Sequence, residues 1–99
     1  MDELNSNIDK WFNERGITEN GKPMSQAIKT LEETTELLDA LNKSDRAETM
    51  DAIGDIYVTL RGVCMTGGFD MTECIAGAYD EIKDRKGHLT PEGMFVKEV

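Results

Sequence analysis

Acidic residues crowd the stretch from 32 to 55: Glu32, Glu33 and Glu36 precede the polar break Asn42-Lys43-Ser44, and Glu48, Asp51 and Asp55 follow it. At about 100° per residue, Glu33 and Glu36 share one helix face, and Glu48, Asp51 and Asp55 share another. If the two stretches are helices folded antiparallel about Lys43, Glu33 stands level with Asp55 and Glu36 with Asp51. Facing carboxylates repel, so a positive charge is expected between them. Carboxylate oxygens suit a hard divalent cation, and Mg²⁺ in particular takes a few carboxylates, keeps waters and bridges to substrate phosphates. The competing reading is that these are solvated acidic faces of an acidic protein, and spacing alone does not separate the two.

The elements that must hold these residues can be read from apolar periodicity and punctuation. Residues 3 to 15 read as a first helix with Leu4, Ile8, Trp11 and Phe12 on one side and Gly16 as its stop. A turn at Asn20-Gly21-Lys22-Pro23 opens a second helix to about Leu41, with Met24, Ile28, Leu31, Leu38 and Leu41 as its apolar stripe. Ser44 is the expected cap of a third helix, with Asp45 in its first turn, running to about Met65. Its Ile53, Ile56, Tyr57, Leu60, Val63 and Cys64 cover more than one stripe, which predicts packing on two sides. Gly67-Gly68 then breaks the chain. Asp70 and Glu73 start a fourth helix that carries Ile75, Ala78, Tyr79 and Ile82 inward. Its Ala76, Gly77 and Ala78 predict close approach of another helix. Beyond Arg85 the tail is punctuated by Gly87, Pro91 and Gly93, with a short extended segment after Gly93. The reading is all-α, a four-helix bundle in a single domain over 1–99, near the size at which association with further copies helps.

Composition narrows the function classes. The 99 residues carry 20 acids against 11 bases, a net charge of −9. That balance excludes the basic footprint of a nucleic-acid backbone binder or an anionic-membrane binder, so neither stable nucleic-acid binding nor a membrane is expected. It leaves nucleotides open, because metal ions and a few local bases can meet their charge. The start, MDELNSNIDKW, lacks the basic and apolar stretches of a signal peptide, and no run approaches transmembrane length. A cytoplasmic protein is expected. Cys64 and Cys74 form no metal-type pair and read as reduced, buried and inert.

Local bases stand out from the acidic average. Lys83, Arg85 and Lys86 end the fourth helix, where they either meet its dipole or bind phosphate oxygens. Lys29, one turn before Glu33, can pair with it or serve a substrate. Trp11, the lone tryptophan, can pack the first helix or stack on a nucleobase. His88, the sole histidine, lies in a Gly-flanked tail and is expected to be exposed.

The run Gln26-Ala-Ile-Lys29-Thr-Leu-Glu32-Glu33-Thr-Thr-Glu36-Leu resembles the E-E-x-x-E helix of MazG-like, all-α nucleoside triphosphate pyrophosphohydrolases. Asp51-Ala-Ile-Gly-Asp55 is similar to the second metal helix of short, phage-type members. Ala78 to Gly87, Gly93 to Glu98 and Trp11 to Ile17 are similar to their C-terminal segment and opening helix. The resemblance covers nearly the whole chain, in order. It implies an oligomeric, Mg²⁺-dependent enzyme, a dimer or tetramer, that cleaves a nucleoside triphosphate between the α and β phosphorus to give the monophosphate and pyrophosphate. Glu33, Glu36, Asp51 and Asp55 would then hold metal and activate a water, with Glu32 or Glu36 accepting its proton. Lys29, Lys83, Arg85, Lys86 and Trp11 would contact substrate.

Two departures bear on the site. The wider family carries E-x-x-D on the second acidic helix, and aligning its Asp with Asp55 puts Ala52 at the Glu position. Asp51 is the nearest substitute, while Glu48 with Asp51 makes another literal E-x-x-D. Asp80 stands where relatives often carry Asn. A rival reading from another class is a non-catalytic acidic helical regulator or DNA mimic, which needs its acids spread over an exposed face. Here they concentrate on facing turns.

Overall fold

The computed structural model describes residues 1–98. Five helices and one small hairpin occur among them: α1 (Asp2–Glu14), α2 (Ile17–Asn20), α3 (Pro23–Asn42), α4 (Arg46–Gly67), α5 (Met71–Ile82), β1 (Gly87–Leu89) and β2 (Phe95–Lys97). The chain divides into two compact units, Met1–Phe69 and Asp70–Val99.

The first unit is built on the antiparallel pair α3 and α4, with α1 and the short α2 against α4. α3 starts at Pro23, whose missing N–H costs nothing in a first turn. Its end and the start of α4 share two residues. Ser44 N–H donates to Leu41 O (3.1 Å) and Asp45 N–H to Ala40 O (2.9 Å), the paired bonds of a Schellman stop, with Ser44 in the left-handed region at φ +56°. The Asp45 carboxylate then accepts from Glu48 N–H (3.0 Å) and caps α4. The cap is therefore Asp45, not Ser44 as the sequence suggests. Ser44 is spent on ending α3, and a residue in the left-handed conformation is one position too early to cap.

The seam between α3 and α4 also corrects the sequence reading. Beyond Pro23, the half-buried or buried positions of α3 are Gln26, Thr30, Glu33, Leu37 and Ala40. The expected apolar stripe lies outside instead, with Leu31 67%, Leu38 65% and Met24 70% exposed. Small and polar groups let the two backbones approach. Thr30 Oγ1 donates to Thr59 Oγ1 (2.8 Å) across the seam, and a Cβ on buried Gly62 would run into the Gln26 amide and Phe12. The fully covered apolar residues are few: Phe12, Ala40 and Ala52. α1 is fastened to α4 by polar side chains. Arg61 lies on Asp9 (Nε to Oδ1 2.9 Å), and Tyr57 Oη donates to Asn5 Oδ1 (2.7 Å). Within this unit α2 is a turn of helix where the sequence predicts only a turn.

In the second unit, Asp70 Oδ1 accepts from Thr72 N–H (2.8 Å) and Glu73 N–H (3.3 Å), the start expected for α5. The face expected to point inward is open, with Ile75 57%, Tyr79 62% and Ile82 52% exposed. Thirty residues with one helix and a hairpin have no second layer to cover it. Gly87 pairs with Lys97, His88 with Val96 and Leu89 with Phe95. The extended segment after Gly93 is thus half of an antiparallel hairpin. His88 is exposed. Cys74 is exposed and Cys64 half-buried, so the expectation of two buried thiols fails, because α5 has no cover in this unit. No helix among the described residues is long and apolar enough to cross a membrane.

Candidate metal centre

Glu33 is the acid that lies on the seam of α3 and α4, and the hairpin register brings it to Asp55. One carboxylate oxygen from each of Glu33, Glu36 and Asp55 lies within 4.8 Å of the others. Glu33 and Asp55 are half-buried and Glu36 is exposed, so the group is open on the Glu36 side. Glu33 Oε2 is buried without a hydrogen-bond partner. Its neighbours are other acids. Sharing a proton with Glu36, then burial, then the charges of Glu36, Asp55 and Asp51 push its pKa up to about 7. Asp55 is also raised, by burial first and then by the charges of Asp51 and Glu36, with a hydrogen bond from Glu33 working the other way.

A divalent cation fits this arrangement on chemical grounds. The donors are hard oxygens, one of them buried and unsatisfied, and the charges that act on Glu33 are those of other acids. Mg–O distances of about 2.0–2.1 Å put two ligand oxygens no more than about 4.2 Å apart, so small rotamer changes close the group on an ion.

Asp51 is one turn from Asp55 and acts on both half-buried acids through its charge, but it does not join the three convergent oxygens. It lines an open cleft of about 630 Å³ together with Glu36, Asp39, Lys43, Glu48 and buried Ala52. Of the acids on α4, Asp55 joins the convergent group. Glu48 lies farther along the cleft. Glu32 points elsewhere: it accepts from Lys29 Nζ at 3.2 Å, both side chains being more than half exposed. Lys29 therefore pairs with Glu32 rather than Glu33.

Trp11 is 44% exposed, meets Phe12 edge-on at 5.3 Å and carries the Arg15 guanidinium 4.4 Å from its ring centroid. It borders an apolar groove with Leu4, Ile8 and Val58. In the second unit, Lys83 pairs with Asp80 at 3.1 Å, which offsets the acid at that departure, and Arg85 and Lys86 are exposed just past α5. Sequence reasoning missed Lys43 as a cleft residue and missed the Arg61–Asp9 pair. A lone base within the apolar run Ile56 to Met65 was the available hint for the latter.

Residues 22–90 match the model of the MazG nucleotide pyrophosphohydrolase domain, and the chain belongs to that family. It is 33% identical over 60 residues to an uncharacterized 18.2 kDa protein in the rep-hol intergenic region of Haemophilus phage HP1. That match takes in 61% of this chain and 37% of the phage protein, so the chain spans well under half of that relative's length. The fold superposes with a TM-score of 0.68 on a cyanophage S-2L MazG-like pyrophosphohydrolase bound to dGDP and three catalytic Mn²⁺ ions per active site. The superposition covers 98% of this chain and 91% of that one at 23% identity.

Proposed function

We propose that this chain hydrolyses a nucleoside triphosphate between the α and β phosphorus, releasing the monophosphate and pyrophosphate, with Mg²⁺ or Mn²⁺ as cofactor. The observation that carries the reading is the convergence of Glu33, Glu36 and Asp55 around a buried, unsatisfied carboxylate oxygen. A bound divalent cation supplies charge neutralisation for the triphosphate and acidifies water at neutral pH. Glu33 and Asp55, fixed on two helices that share a seam, are the rigid ligands. Glu36 is the solvent-side ligand, and Asp51 holds charge at the mouth of the cleft. Of the two candidates for taking a proton from water, Glu36 stands in the group, whereas Glu32 is engaged by Lys29. Lys83, Arg85 and Lys86 are assigned to the phosphates, where Lys83 must leave Asp80 to act.

The distribution of acids supports an enzyme over an acidic mimic, because a mimic gains nothing from a half-buried carboxyl whose proton is held to about pH 7. The test is pyrophosphate release from a panel of ribo- and deoxynucleoside triphosphates with Mg²⁺, with Mn²⁺ and with EDTA, scoring the monophosphate as co-product. Metal-dependent release of both products is expected. No release from any nucleotide with either metal overturns the proposal.

A further inference from the structure

Two clefts border the acidic group, and their linings differ in kind. One runs toward the turn between α3 and α4, takes in Glu36 of the group with Asp51 beside it, and is walled by Asp39, Lys43 and Glu48. The other, about 380 Å³, takes in Asp55 of the group with Asp51 beside it and runs toward α1, where Leu4, Ile8, Met50 and Val58 make it apolar. A nucleoside triphosphate is likewise polar and charged at one end and flat and largely apolar at the other.

We infer that the β and γ phosphates of the substrate, and the pyrophosphate product, occupy the cleft at the helical turn, where Lys43 joins the bases already assigned to the phosphates. The inference rests on the pyrophosphohydrolase reading and orients the substrate within it. Lys43 is the one base among the residues lining that cleft. In the structure its ammonium lies 2.8 Å from Asp39 Oδ2, with both side chains more than half exposed. An exposed i, i+4 pair of this kind is weak, so Lys43 exchanges Asp39 for a phosphate oxygen at little cost. A flexible lysine acts there as a mobile point charge, with no demand on phosphate geometry. Buried Ala52, small beside the acids, forms part of the cleft wall and leaves room for the phosphates.

The experiment is calorimetric titration of the Mn²⁺-loaded protein with inorganic pyrophosphate, for wild type, Lys43→Ala, Lys43→Arg and Asp39→Asn, alongside titration with Mn²⁺ alone. Lys43→Ala is expected to weaken pyrophosphate binding about tenfold, the loss of one charge-assisted contact, while Mn²⁺ affinity stays at the wild-type value. Lys43→Arg recovers most of the affinity, and Asp39→Asn, which frees the ammonium, tightens it. Equal pyrophosphate affinity in wild type and Lys43→Ala overturns the inference, as does a matching loss of Mn²⁺ affinity, which would place Lys43 in the support of the hairpin. Should Lys43→Ala fail to fold, Asp39→Asn measured against wild type decides the matter: tighter pyrophosphate binding is expected, and weaker or unchanged binding overturns the inference. Metal-dependent triphosphate hydrolysis together with Lys43-independent pyrophosphate binding leaves the function and removes this inference. Lys43-dependent pyrophosphate binding without hydrolysis of any triphosphate does the reverse.

Discussion

Glu33 combines two properties that conflict in the absence of a cation: it is anionic by chemistry and it is held on a polar seam beside other acids. The metal-free protein resolves the conflict by keeping a proton there until about pH 7. In the unfolded chain the same carboxyl titrates near 4.5. Below that pH both states hold the proton. Between about 4.5 and 7 only the folded state does, so this group's contribution to stability falls as pH rises and then levels off. In EDTA, the melting temperature of wild type is expected to fall across that window relative to Glu33→Gln, and saturating Mn²⁺ is expected to remove the difference in slope. A parallel pair of curves would mean that Glu33 ionises normally. Glu33→Gln and Asp55→Asn are further expected to lower Mn²⁺ affinity at least tenfold, the loss of one carboxylate ligand, with far-ultraviolet circular dichroism unchanged. Undiminished Mn²⁺ binding in both would remove the centre. Hairpin arithmetic was enough to pair Glu33 with Asp55 from the sequence. Lys43, by contrast, was hidden, since a lysine in a polar break looks the same whether it faces solvent or a cleft.

At the scale of elements, the connection between α3 and α4 sets the register on which the acids depend. Asp45 closes one helix with its N–H and opens the next with its carboxylate. Asp45→Ala is expected to cost about 1 kcal/mol, the usual worth of an N-cap. Ser44→Gly should instead stabilise, because Ser44 holds φ +56° where glycine carries no side-chain penalty. Chemical denaturation that moves both variants in the same direction would contradict this division of labour. Helix existence and type were legible because capping residues, proline and glycine punctuate the chain. Which face met which neighbour was not. Apolar periodicity finds the greasy side of a helix and assumes that the nearest element covers it; in α3 the side turned to α4 is Gln26, Thr30, Glu33, Leu37 and Ala40. Pairings such as Asp9 with Arg61 join residues far apart in the chain and leave no periodic trace.

For the molecule as a whole, large apolar side chains remain open on both units: Leu31, Leu38, Leu41 and Ile53 on the first, Ile75, Tyr79 and Ile82 on the second. Surfaces of this kind on a small chain are the mark of association. Sedimentation at micromolar concentration is expected to show a dimer or tetramer, and Leu31→Asp or Tyr79→Asp should shift it toward smaller species. A wild-type monomer at that concentration would contradict the assembly. The alternation of helices and breaks carried this expectation in the sequence through the excess apolar faces of the third and fourth predicted helices. The partner arrangement was not legible, because a stripe of leucines records that a face wants cover and not what covers it.

The polar seam has one more consequence, for motion. Glu33 and Asp55 sit on opposite strands of a helical hairpin whose two arms hold each other through small side chains and a threonine pair, with little oily surface to resist separation. An ion shared by the two carboxylates, as proposed above, would act as a reversible crosslink across the intervening loop, since closing such a loop removes freedom from the opened ensemble. Amide protons between the arms should therefore exchange slowly when the ion is present and fast after chelation, so that the hairpin breathes in step with the supply of divalent metal.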